Sequence, residues 1–312
     1  MSNELPVRTY DNPALAAEAG PAPGARQDRS PGVEKAMADQ PHPGAEKEPS
    51  AERRPRLLAF RAALPRSLEI GLGIGVTVGI FLVWELVARL GLTSALFLPA
   101  PSAVFAALLR MATTQDLLWH AWVSTTRVWI AFALAAAMAI PIGMLMGGYR
   151  VIGAGLEPAI DFIRYLPVPA LVPLSIIWFG VGENTKIFLL WLGTFFQLVL
   201  LVADDMRRVP HEYVETALTV GAKPWQVMRD VAFRAMLPNL VDSLRITLGW
   251  CWTYLIVAEI VAADSGIGFV IWSARRYMKT PEVMAGVVMI GLIGLATDQL
   301  LRLLHRRAFR YL

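Results

Sequence analysis

The stretch "IFLLWLGTFFQLVLLVA", residues 187–203, carries no Asp, Glu, Lys or Arg. An uncharged apolar run of this kind reads as a membrane span. Just before it, 160–181 is apolar after Asp161 and Arg164, but is interrupted by Pro167, Pro169 and Pro173. Further outward lie 121–149, whose one charge is Arg127, and 70–90, which holds Glu85 and Arg89. On the other side come 246–263, with Glu259, and 283–301, with Asp298. A run the length of 70–90 gives roughly 30 Å of helix, enough to cross a bilayer. The six runs predict an all-α fold: a polytopic membrane helix bundle with about six transmembrane helices. "GIGFVIW" (266–272) is too short to span and is expected to lie at the interface or to re-enter.

Composition points the same way. A hydrophobic fraction of 55% and a mean hydropathy of +0.49 exceed what soluble domains tolerate. The net charge of +4 and pI near 9.4 raise nucleic acid as a partner. The basic residues sit at the ends of apolar runs, however, and form no aromatic-interleaved patch, so no nucleic-acid partner is expected. Cys251 is the sole cysteine, which rules out an intrachain disulfide or a CxxC site. His42, His120, His211 and His305 show no HxxxH or HExxH spacing, so a metalloenzyme would have no ligands and no metal site is expected. No G-x-x-x-x-G-K-[ST] phosphate loop occurs. "GVGENTK" (180–186) lacks the glycine before its lysine, and ATP binding by that route is excluded. "GLGIGVTVG" (71–79) lies inside a span, where its glycines suit close helix packing better than a dinucleotide.

Residues 1–52 are rich in Pro, Ala, Glu and Gly, and 1–50 contain no Phe, Ile or Trp. They read as a disordered cytoplasmic tail, because they cannot bury enough apolar surface to offset the entropy of ordering. Without an apolar h-region they are no signal peptide. A basic juxtamembrane segment follows at 53–67, and 68–312 form the transmembrane domain. Six spans put both termini on one side. That side gathers Arg53, Arg54, Arg56, Arg61, Arg66, Arg150, Arg207, Arg208, Lys223, Arg229, Arg234, Arg306, Arg307 and Arg310. The other side has Arg89, Arg110, Lys186, Arg275, Arg276 and Lys279. The positive-inside bias makes the first side cytoplasmic.

The connector between the fourth and fifth runs then faces the cytoplasm, and it is much longer than the usual link in a bundle. Its centre, "EYVETALTVGAKPWQVMRD" (212–230), reads as two short amphipathic helices hinged at a glycine. Pro210 suits a first helical position, and Glu212 and Glu215 lie near the positive end of the helix dipole. Tyr213, Val214, Ala217 and Leu218 share one face. Gly221 stands where a left-handed backbone closes the first helix. Pro224 restarts a helix whose apolar face is Val227, Met228, Val231 and Ala235. Nothing in the hairpin does chemistry, and a docking site for a cytoplasmic partner is expected.

This hairpin resembles the EAA loop of permeases in ABC importers, whose pattern is EAA, three residues, Gly, nine residues, then I-x-L-P. Glu215-Thr216-Ala217, Gly221 and Val231 match that spacing. Thr216 replaces the first alanine, and Phe233-Arg234 stand where Leu-Pro is expected, with Leu237-Pro238 four residues later. "FLPAPSAVFAALL" (97–109), "RYLPVPALVPLSIIWFGVG" (164–182), "LRITLGWCWTYLIVAEIVAADSGIGFVIW" (244–272) and "IGLIGLATDQLLRLLHRR" (290–307) are similar to the nitrate/sulfonate/taurine branch of these permeases. The resemblance covers nearly everything from about residue 68 to the C-terminus. It implies a coupling loop at 210–238 that fits a groove on a separate ABC ATPase subunit, present as a dimer and holding the ATP and Mg. It further implies a periplasmic or lipid-anchored substrate-binding protein, a homodimer of this chain, membrane lipids around it, and the bacterial inner membrane as its location. The cargo implied is a small anion such as nitrate, a sulfonate or taurine. No cofactor is expected in this chain.

Ionisable groups within spans are functional candidates by default. For Arg127, Asp161, Arg164, Glu85 and Glu259, snorkelling or mutual pairing is the expected role, since most lie near a span end. Pro167, Pro169 and Pro173 free backbone carbonyls, which is tolerated where protein or a water-filled cavity covers them. The pathway is therefore expected along the third and fifth spans, with Trp250, Trp252 and Tyr254 as lining candidates. On the outer face Arg275, Arg276 and Lys279 are candidates for docking the binding protein. A self-sufficient secondary transporter or channel is the alternative. Against it, no inverted repeat and no chain of midspan acids is visible. A membrane enzyme has no catalytic constellation to support it.

Overall fold

The computed structural model describes residues 65–262 and 264–308; the predicted tail at 1–52 and most of the segment 53–67 lie outside them. Every regular element among the described residues is helical. In order they are α1 (Arg66–Arg89), α2 (Pro101–Thr114), α3 (Leu117–Gly148), α4 (Arg150–Arg164), α5 (Val172–Phe179), α6 (Glu183–Arg207), α7 (His211–Thr219), α8 (Pro224–Gln226), α9 (Phe233–Ala262), α10 (Ile267–Arg276) and α11 (Thr280–Ala308).

By length and hydropathy α1, α3, α6 and α11 can each cross a membrane. The prolines break the third predicted span: α4 and the segment 168–179 are bent by 86°, and counting that pair as one gives up to five spans. The fifth expected span, 246–263, falls largely within α9. That helix is 30 residues long, so the expected count of about six spans is roughly consistent with the helices seen.

The core is built on α3, α6 and α9. Small residues recur at every fourth position of α3, at Ala131, Ala135, Ala139 and Gly143. This stripe lets the α6 backbone approach closely, as small residues do between membrane helices. A Cβ at Gly143 would lie 2.6 Å from that of Val202. Leu198, Val199 and Val202 of α6 and Met236 and Leu240 of α9 fill the space beside the stripe. A second cluster joins Val128, Phe132, Leu189, Leu248 and Leu255 to Ile267 and Ile271 of α10, the short element expected to lie at the interface or to re-enter. In contrast, α1 buries no residue, and Gly71, Gly73, Gly75 and Gly79 approach nothing within 4 Å. The close packing expected of them does not occur among the described residues.

Candidate functional site

The hairpin forms as its local chemistry dictates at one end and departs from expectation at the other. Pro210 caps α7 one residue before the helix begins. At the far end Gly221 adopts φ +87°. Its N–H donates to the Leu218 carbonyl at 3.0 Å, and Ala222 N–H donates to the Ala217 carbonyl at 3.0 Å. These are the paired bonds of a Schellman stop, which glycine closes without a Cβ penalty. The second arm is not a separate helix. From Pro224 it runs through α8 and a π-helical segment, Val227–Ala232, straight into α9. The connector between long helices is thus shorter than the sequence reading made it, and the second arm is continuous with a core helix. Val227, Met228 and Ala232 are buried at its base, while Val231 is half-buried.

The tip stays uncovered. Tyr213, Leu218, Val220 and Trp225 are large, apolar and exposed, Val220 at 81%. Val214 and Ala217 are half-buried and face inward. Glu215 projects outward; the His211 ring, itself exposed, lies 3.4 Å from its carboxylate. Thr216 donates its hydroxyl back to the Glu212 carbonyl at 2.7 Å. Beneath the tip a cavity of about 430 Å³ is lined by Gly148, Tyr149, Met206, Arg207, Val214 and Met228, among others. Arg207 braces this base. It grips Glu157 of α4 with both guanidinium nitrogens, at 2.6 and 3.1 Å, and Asp204 at 3.2 Å. Such a bidentate pair fixes geometry as well as energy.

The charged residues of the predicted spans pair with one another. Glu85 binds Arg89 at 2.6 Å, and Asp161 binds Arg164 at 3.0 Å. The bend at Pro167 opens a cavity of about 240 Å³, lined by Arg164, Gly193, Phe196, Gln197, Trp250 and Tyr254 with neighbouring leucines. Pro167 caps the 3-10 turn Val168–Leu171, and Pro169 and Pro173 sit in the first turns that follow the break. Trp252 faces elsewhere. It is buried in the core, beside Gly294 of α11.

Arg127, on the far side of the core from the hairpin, anchors a buried ionic network. Its Nη1 donates to Glu259 Oε1 and to the Ser265 carbonyl, each at 2.8 Å. Its Nε and Nη2 donate to Glu183 at 2.6 and 2.5 Å. Glu259 is fully buried; it also accepts from the Ser124 hydroxyl at 2.7 Å and the Gly268 N–H at 2.7 Å. Lys186, placed by sequence among the outer-face cations, is 1% exposed and bonds Glu183 at 2.9 Å and Asp264 at 3.4 Å. Hydrogen bonding to its own backbone N–H, together with Lys186, holds the Asp264 carboxyl below the usual carboxylate range. The network ties α3, α6, α9 and the start of α10 together. Sequence reasoning caught Arg127 and Glu259 but missed Ser124, Glu183, Lys186 and Asp264, whose separations along the chain carry no local signal. Arg275, Arg276 and Lys279, by contrast, are all exposed. Arg275 lies over the Trp272 ring at 4.9 Å, and Lys279 reaches Glu282 at 3.5 Å. Among the described residues no cluster of His, Cys, Asp and Glu could hold a metal ion.

Residues 139–310 match the family described as binding-protein-dependent transport system inner membrane component. The taurine transport system permease protein TauC of Escherichia coli (strain K12) is 36% identical, over 78% of this chain and 90% of its own length. SsuC of Bacillus subtilis (strain 168), named for aliphatic sulfonates transport, is 32% identical over 74% of this chain and 84% of its own. The bicarbonate transport system permease protein CmpB of Synechococcus elongatus is 29% identical over 74% and 87%. In fold, the chain is similar to inward-facing MetNI methionine ABC transporter structures, with a TM-score of 0.50 and 20% identity, covering 62% of this chain and 96% of that one. A permease of this kind works with an ATPase and a substrate-binding protein. The chain belongs to the binding-protein-dependent transport system inner membrane component family: it is a multi-pass inner-membrane permease subunit of an ABC importer, and not itself an enzyme.

Proposed function

We propose that two copies of this chain form the translocation path for a small oxyanion of the sulfonate, taurine or nitrate type, delivered by a periplasmic or lipid-anchored binding protein. Both termini and the hairpin face the cytoplasm, in keeping with the positive-inside bias. There the tip of the hairpin, with Glu215, Thr216, Ala217 and Gly221, enters a groove on each subunit of an ATPase dimer. ATP and Mg are bound on that dimer. Val231 lies on the arm that carries the movement into α9. Arg275, Arg276 and Lys279 meet the binding protein on the opposite face, and membrane lipids cover the outward surfaces. The path follows the break at Pro167, Pro169 and Pro173 together with Trp250 and Tyr254. One observation carries this reading: the hairpin combines an exposed apolar tip with a second arm continuous with a core helix. A load on the second arm therefore reaches α9 along continuous helix, and α7 joins that arm through the hydrogen-bonded turn at Gly221.

The test is reconstitution in proteoliposomes with the ATPase and binding protein encoded nearest this chain, followed by uptake of radiolabelled taurine. Uptake should require all three components and ATP. Accumulation without the ATPase would overturn the reading, as would failure to import any sulfonate or inorganic oxyanion.

A further inference from the structure

The cavity at the broken span holds two polar side chains, Arg164 and Gln197, that the proposed path leaves unassigned. Arg164 is the one charged residue that lines it. Asp161 holds its Nε edge at 3.0 Å, and its Nη2 donates to the Tyr165 hydroxyl at 3.1 Å. The Tyr165 ring stacks beneath at 4.8 Å. These contacts fix the plane of the guanidinium and leave Nη1 without a protein partner among the described residues. The Gln197 amide, the Trp250 indole N–H and the Tyr254 hydroxyl also make no hydrogen bond to protein there. Four polar groups from α4, α6 and α9 thus line one cavity with bonding capacity to spare, and no carboxylate lines it. Phe196 and the adjoining leucines make the rest of its wall apolar.

We propose that this cavity is a station for the transported molecule, and that its ligand is a short alkanesulfonate or a similar organic anion. Arg164 Nη1 pairs with the oxyanion head, Gln197, Trp250 and Tyr254 donate to the remaining oxygens, and the apolar wall takes the carbon chain. A sulfonate head carries three acceptor oxygens and no donor, which matches a set rich in N–H and O–H groups. A bare inorganic oxyanion would leave the apolar wall in contact with water. Water in the cavity satisfies the same donors when the station is empty, since about 240 Å³ exceeds the roughly 30 Å³ share of one water. The inference rests on the importer reading given above.

The experiment uses the permease–ATPase complex in nanodiscs without ATP or binding protein, with ethanesulfonate as the probe and saturation-transfer-difference NMR of its methyl group as the readout. Ethanesulfonate should bind, and nitrate should compete weakly. Arg164→Gln should weaken binding about tenfold or more, the scale of one hydrogen bond to a charged group, and Arg164→Lys should restore part of it. Gln197→Leu, which leaves the Arg164–Asp161 pair untouched, should weaken binding by a smaller factor and guards against a folding defect in the arginine variants. Wild-type binding in both Arg164→Gln and Gln197→Leu would overturn the station, as would absence of any methyl signal in the wild type. If the intact importer takes up ethanesulfonate while Arg164→Gln does so with unchanged KM, the station falls and the importer reading stands. If the intact importer takes up no anion, the importer reading itself falls.

Discussion

Arg127→Met would test whether the buried ionic network holds α3, α6, α9 and α10 together. In the wild type Glu259 is fully buried and accepts hydrogen bonds from Ser124, Arg127 and Gly268. Removing the arginine leaves this carboxylate with two neutral donors and no counter-charge. Breaking a buried pair from one side destabilises by about 3–5 kcal/mol. The Glu183 half of the network adds little, because its side chain is 53% exposed and exposed pairs contribute about 1 kcal/mol or less. On the scale of folded chains of this size, roughly 2–4 °C per kcal/mol, the midpoint of unfolding should fall by roughly 6–20 °C.

The lone thiol makes the assay simple. Cys251 is free and buried, so a thiol-reactive fluorogenic dye reports its exposure on heating in detergent. Adding Glu259→Gln to Arg127→Met removes the stranded charge but keeps an acceptor for Ser124 and Gly268. The double variant should regain about 1–3 kcal/mol relative to Arg127→Met, a coupling within the range measured for contacting groups. If Arg127→Met unfolds within 2 °C of the wild type, or if the two losses simply add, the network is not a structural clasp and the reasoning fails.

Two further outcomes are expected. Gly221→Val places a β-branched residue at φ +87°. No atom lies within 4 Å of the new Cβ, so the penalty is backbone strain alone, about 1–2 kcal/mol; the protein should insert and fold, yet pull down less ATPase and drive less uptake. Charge reversal of Arg275 and Arg276 should slow binding-protein association and flatten its salt dependence, as steering by exposed charges predicts; unchanged association kinetics by surface plasmon resonance would reject a docking role.

What the sequence made legible was whatever is local. Hydropathy located the long apolar helices, Gly221 announced a left-handed stop, and the spacing of Glu215, Gly221 and Val231 carried the family resemblance. The prolines at 167, 169 and 173 signalled a break, but its 86° angle depends on how α4 and α5 each pack on α6. The second arm of the hairpin was misread for a related reason. From sequence it is a short separate helix starting at Pro224, with Val227 and Met228 on its apolar face; the structure buries those two and Ala232 and runs the arm on into α9. The clasp was the least visible part. Ser124, Glu183, Lys186 and Asp264 each look ordinary in sequence, and only the fold brings them to Arg127 and Glu259. Lys186 shows the effect most clearly: a lysine at a span end reads as a topology signal, and here it is buried with two acidic partners.

The central claim is that the tip of the hairpin touches the ATPase, and site-specific photocrosslinking tests it most directly. Benzoylphenylalanine would be placed at Leu218 and at Val220, both exposed on the tip, and separately at Trp272, which stands by the exposed arginines of α10. In the assembled importer, positions 218 and 220 should give an adduct with the ATPase subunit, in a yield that changes between nucleotide-free and vanadate-trapped states. Position 272 should give none. An ATPase adduct from 272, or its absence from both tip positions in a complex that still transports, would contradict the account.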